Sequence, residues 1–125
     1  AVTRQFPTRF FGLGNITVPS SAVRQWAAWM TSPDYLFDKQ FRLDTTGYKA
    51  LTCPILALGF SDDRLAPETN IRHLLTFFPN TQTRFHLVRS EALGANKIGH
   101  TGFFRTSHKN TLWPQTVAWM KTGHF

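Results

Sequence analysis

The chain is poor in the features that would place it quickly. It has one cysteine, Cys53, so its 125 residues contain neither an internal disulfide framework nor a cysteine-only zinc site. A lone cysteine also favours a cytoplasmic setting over an oxidising one. No apolar run approaches the ~20 residues of a membrane-spanning helix, and no membrane association is expected. There is no internal repeat, no low-complexity segment and no long run of one charge. The 14 Lys and Arg outnumber the 7 Asp and Glu, for a net charge of +7. That excess is spread evenly: six basic against three acidic residues over 1–50, eight against four over 51–125. A nucleic-acid surface gathers its basic residues on one face or stripe, so no nucleic-acid partner is expected. With 42% hydrophobic and 17% charged residues, composition excludes a disordered or coiled-coil chain and leaves an α/β or α+β one.

Residues 1–19 carry Pro7, Gly12, Gly14 and Pro19 among unevenly spaced phenylalanines. They read as irregular structure packed by Phe6, Phe10 and Phe11. In 20–30, Ala22, Val23, Trp26, Ala27 and Met30 fall at helical spacing, with Ser20 or Ser21 as the cap and Pro33 beyond the end. Residues 33–38 add one further turn at most, and 39–53 read as polar and irregular, broken at Gly47.

The middle of the chain is the most informative part. Cys53-Pro-Ile-Leu-Ala-Leu-Gly-Phe is a short continuous apolar run closed by Ser61-Asp62-Asp63, the pattern of a strand buried on both faces. A helix opens at Pro67 and Glu68, carries Ile71, Leu74, Leu75 and Phe78 as its stripe, and ends at Pro79-Asn80. Thr83-Arg-Phe-His-Leu-Val88 alternates as a second strand. A polar loop follows over 90–102, then a last helix from about 111–114, with Pro114 in its first turn and Gly123 as its stop. Strand, helix and strand over 54–88 make one parallel βαβ unit. Two parallel strands expose both sheet edges, so the sheet needs completion by another copy of the chain or by further protein.

Ligands of parallel sheets bind beyond the carboxyl ends of the strands. Asp62 and Asp63 follow the first strand; the loop Asn96-Lys-Ile-Gly-His100-Thr-Gly follows the second. A carboxylate and an imidazole delivered to one rim are the parts of a general base, since the acid fixes the histidine tautomer and stabilises the imidazolium. Read singly, an acidic residue there caps a turn or helix, and a loop histidine sits on the surface. Which aspartate serves as the acid stays open on the residues alone.

These segments resemble the α/β-hydrolase fold. Cys53-Pro-Ile-Leu-Ala-Leu-Gly-Phe-Ser-Asp-Asp-Arg-Leu-Ala-Pro is similar to the late strand ending in the acid of that family's triad. Ile98-Gly-His-Thr-Gly-Phe-Phe-Arg is similar to the loop bearing its histidine. With Phe11-Gly-Leu-Gly and Trp26-Ala-Ala-Trp, they resemble a group of bacterial predicted α/β-hydrolases of uncertain substrate. The resemblance implies a partial α/β-hydrolase fold: residues 1–50 a cap segment, 51–125 the C-terminal part of the core with its βαβ unit and final helix. It implies His100 as base. It also implies Asp63 as acid, because the family's proline commonly lies four residues after the acid, as Pro67 does after Asp63. Asp62 then solvates or caps.

The family order is Ser, Asp, His, and no Gly-x-Ser-x-Gly elbow occurs in these residues. The expectation is therefore a piece supplying two triad members, inactive alone, with the serine in a missing N-terminal half. The intact protein would act on a small-molecule acyl substrate (ester, thioester or amide). The rival readings are a non-catalytic oligomerising fragment and a basic binding module. Cys53 reads as a small buried residue. His73, His86, His108 and His124 read as surface or edge residues without metal spacing, so no metal and no cofactor are expected. Trp26 and Trp29, three apart, share a helix face that packs the cap or lines an acyl pocket.

Overall fold

A computed structural model describes residues 5–7, 17–94 and 97–123. The expectations placed on Phe10, Phe11, Gly12, Gly14, Asn96 and His124 lie outside the described residues. The chain divides into two units, Ala1–Thr45 and Thr46–Phe125.

In the first unit, β1 (Gln5–Pro7) pairs antiparallel with β2 (Thr17–Pro19), Phe6 opposite Val18. Residues 1–19 are thus not irregular throughout. Helix α1 (Ser20–Met30) follows at once. Pro19 holds the N-cap position in extended conformation, so Ser20 and Ser21 are the first helical residues rather than the cap. The helix ends at Thr31, whose hydroxyl bonds back to the Ala27 carbonyl (3.0 Å), before Pro33 is reached. Two 3₁₀ turns follow, Tyr35–Phe37 and Lys39–Phe41. The second is capped by Asp38, whose carboxylate accepts from the Gln40 amide (3.0 Å) and the Ser32 hydroxyl (2.5 Å). Trp29 meets the Tyr35 ring edge-to-face at 6.1 Å between centroids, a geometry aromatic pairs prefer.

The second unit is mixed α/β. It opens with a short helix, α2 (Thr46–Ala50), where the sequence reads as broken at Gly47. A helical glycine costs only about 1 kcal/mol, and the turn is tied down from outside. Tyr48 stacks edge-to-face on Phe78 (5.4 Å), and the Asn80 amide donates to the Lys49 carbonyl (2.7 Å). Strand β3 (Ile55–Phe60), helix α3 (Glu68–Leu75) and strand β4 (Thr83–Val88) form the βαβ unit. β3 and β4 run parallel, in register from Ile55 opposite Thr83 to Phe60 opposite Val88. α3 stops at Leu75, four residues short of Pro79, because the Thr76 hydroxyl takes the His73 carbonyl (2.7 Å). The apolar stripe runs on to Phe78 through tighter turn bonds. Helix α4 (Trp113–Thr122) closes the unit, with Pro114 in its first turn and Gly123 left-handed at its end (φ 72°).

The core is thin. Val88, Ile98 and Leu112 are its buried apolar residues, joined by the partly buried Phe60, Leu93, Phe103 and Trp113. β3 is half-buried, not buried on both faces as its continuous apolarity implies. The reason is that β3 and β4 pair only with each other among the described residues, so neither strand has the flanking neighbour that a central parallel strand needs. Two further assignments change. Cys53 is exposed, because it lies ahead of β3 at the open end of the sheet. His108 is buried, not superficial, in the turn that leads into α4.

Candidate active site

The carboxyl ends of β3 and β4 are bound together by Ser61. Its amide donates to the Val88 carbonyl (3.0 Å), and its hydroxyl accepts from the Ser90 amide (3.1 Å) and donates to Glu91 Oε2 (3.4 Å). The chain then turns sharply, with the Asp63 amide donating to Phe60 (3.0 Å), and presents two consecutive carboxylates.

Those carboxylates go to different partners. Asp63 Oδ1 accepts the amides of Leu65 (2.9 Å) and Ala66 (3.1 Å), closing an Asx-type turn. Asp63 therefore caps the turn before α3 rather than the helix itself, whose N-cap position is Pro67. Its other oxygen, Oδ2, lies 2.9 Å from His100 Nδ1. The Asp63 side chain is 5% exposed and that of His100 43%. Burial alone raises the Asp63 carboxyl. The hydrogen bond from His100, the amides of Ala66 and Leu65 and the adjoining imidazole outweigh it and hold the group below the usual carboxylate range. An ionised carboxylate can only accept, so Nδ1 carries the hydrogen and Nε2 of the neutral ring carries the lone pair. Nε2 has no hydrogen-bond partner among the described residues.

Asp62 takes the loop that bears the histidine. Its carboxylate accepts the amides of Ile98 (2.9 Å to Oδ2) and Gly99 (3.0 Å to Oδ1, 3.1 Å to Oδ2). Gly99 is left-handed (φ 61°), which turns the chain between the buried Ile98 and the exposed His100. Past the imidazole, Trp113 Nε1 donates to the Phe103 carbonyl (2.6 Å), and the Phe103 ring lies 6.3 Å from that of Phe60. Asp63 and His100 are thus brought together as their order after successive strands anticipates. Asp62, half-buried, ties down the histidine loop instead of merely solvating its neighbour or capping α3; its sequence position gives no sign of a partner 36 residues away.

His73 meets Phe77 edge-to-face (5.1 Å) on α3, and His86 is exposed on β4. Trp26 and Trp29 are both half-buried on α1. No three His, Cys, Asp or Glu among the described residues stand close enough to hold a metal ion. No described helix is long and apolar enough to cross a membrane.

No family model, curated protein or solved structure matches the chain.

Proposed function

We propose that this chain is the acid-and-base portion of a serine-type α/β-hydrolase. The observation that carries the reading is the 2.9 Å pairing of His100 Nδ1 with the ionised, 5%-exposed Asp63, beyond the carboxyl ends of adjacent parallel strands. In this reading residues 1–50 are the cap segment and 51–125 the end of the hydrolase core. His100 Nε2 removes the proton from a serine hydroxyl as that oxygen attacks an acyl carbon. Asp63 stabilises the imidazolium that forms, and His100 returns the proton to the leaving group. Water then repeats the cycle on the acyl-serine. The serine comes from outside these 125 residues, which hold no Gly-x-Ser-x-Gly elbow. The substrate is a small acyl ester, thioester or amide.

The test is hydrolysis of a short-chain p-nitrophenyl ester by a polypeptide carrying this chain with its N-terminal half. His100→Ala should lower kcat about a thousandfold. Undiminished hydrolysis in that variant overturns the assignment, and the 125-residue chain alone should show no turnover.

The edges that β3 and β4 leave without a further strand among the described residues favour a second reading for the isolated chain, a non-catalytic piece that self-associates. A monomeric mass by light scattering at micromolar concentration would exclude it.

A further inference from the structure

Resting on the reading of His100 as base, we propose that Asp62 is the positioning residue for His100, acting through the backbone. The two adjacent aspartates divide the task. Asp63 holds the ring at Nδ1, while Asp62 holds the loop that carries the ring through the amides of Ile98 and Gly99.

The geometry is specific to a carboxylate. Two consecutive amides point into one group, and each oxygen accepts at 2.9–3.0 Å. A carboxylate has acceptors only, so it satisfies both amides at once. Because Gly99 N reaches both oxygens, an asparagine in either orientation sets its NH₂ about 3 Å from that amide, where two donors repel. The loop needs such an anchor. Gly99 is left-handed, and nothing beyond its two chain neighbours lies within 4 Å of where its Cβ would stand, so side-chain packing there does not set its direction. Ile98 is fixed by its side chain, 3% exposed in the core. Between Ile98 and the half-exposed imidazole, Asp62 supplies the restraint that sets the direction of Gly99 and hence the position of His100. Hydrogen bonds to a charged acceptor are stronger than neutral ones, so a single residue suffices.

The experiment is solution NMR on the isotope-labelled 125-residue chain in mildly alkaline buffer. It compares the wild type with Asp62→Asn, Asp62→Ala and Asp63→Asn. Two quantities are read: amide exchange at Ile98 and Gly99, and the His100 tautomer from its ring nitrogen shifts. In the wild type the hydrogen sits on Nδ1. Asp62→Asn and Asp62→Ala should speed exchange at Ile98 and Gly99 about tenfold or more and move the tautomer toward Nε2–H, with β4 amides unchanged. Asp63→Asn should move the tautomer while leaving Ile98 and Gly99 protected. Protection and tautomer both retained in the Asp62 variants would overturn the proposal. Loss of β4 protection in Asp62→Asn would also overturn it, since a fold-wide role would then replace a local one. Should Asp62→Ala alone unfold, Asp62→Asn carries the comparison. The ester assay bears on the base reading separately: no hydrolysis, with the predicted NMR changes, would remove the catalytic purpose and support the anchoring.

Discussion

His100 Nδ1 lies 2.9 Å from Asp63 Oδ2, and the carboxylate in that pair is the buried member while the imidazole is half-exposed. The asymmetry has a consequence. The acid is also held by Leu65 and Ala66 through its other oxygen, so the pair is built outward from Asp63. Replacing the two partners should therefore not be equivalent. Asp63→Asn keeps one oxygen for the Leu65 and Ala66 amides and lets His100 take the other tautomer, but it turns hydrogen bonds to a buried charge into neutral ones, a loss of about 1–2 kcal/mol. His100→Ala removes a partly exposed ring and should cost less than about 1 kcal/mol. Urea unfolding of the two variants at neutral pH measures both; equal losses would contradict this construction.

The Asp63 carboxyl lies below its ordinary range in the folded chain, which fixes the sign of a pH effect. In the unfolded chain it titrates near the ordinary value of about 3.9. Its stabilisation is therefore complete above that value and is lost as pH falls through the lower folded-state value. The stability difference between wild type and Asp63→Asn should shrink as pH falls below about 4, where the carboxyl takes up its proton. A difference that does not shrink over that acid range would contradict the lowered carboxyl.

Cys53 offers a chemical check on the start of β3. Its thiol is free and exposed, although cysteine is among the residue types most often buried. The native chain should react with one equivalent of a disulfide reagent such as DTNB, at a rate unchanged by urea below the unfolding transition. A thiol that reacts only through unfolding would place Cys53 inside.

The βαβ unit is legible in the sequence because its signals are local. The apolar run ahead of Ser61, the stripe of Ile71, Leu74 and Leu75, and the alternation of Thr83–Val88 each need only their own neighbours. Asp63 and His100 meet because strand order and direction deliver them to one rim. The roles of Asp62 and Asp63 are not legible in that way, for two chemically identical residues in adjacent positions differ only in which distant amides the turn presents to them. His108 and Cys53 fail for the opposite reason. Residue type suggests a surface for one and an interior for the other, but burial is set by place: one lies under the entry to α4, the other before the sheet begins. β3 reads as a fully covered strand because its sequence carries an apolar run that the described sheet does not cover.

Two glycines should respond to alanine by different means, and a second substitution separates them. A Cβ on Gly59 would stand 2.8 and 2.9 Å from Phe85 Cε2 and Cζ and 3.3 Å from Ile71 Cδ1, between sheet and α3. The Arg72 guanidinium lies 4.4 Å from the centroid of the same Phe85 ring, so a shift of the ring also disturbs that contact. Overpacking of this kind costs about 1–3 kcal/mol. A Cβ on Gly99 meets nothing within 4 Å, and the cost there is that of the left-handed backbone, about 1 kcal/mol or slightly more. Asparagine tolerates that conformation but is larger than alanine. Gly99→Asn should therefore be more stable than Gly99→Ala, whereas Gly59→Asn should be less stable than Gly59→Ala. Urea midpoints for the four variants give the comparison directly. If asparagine shifts both sites in the same direction, a single cause governs them and the distinction between crowding and backbone strain fails.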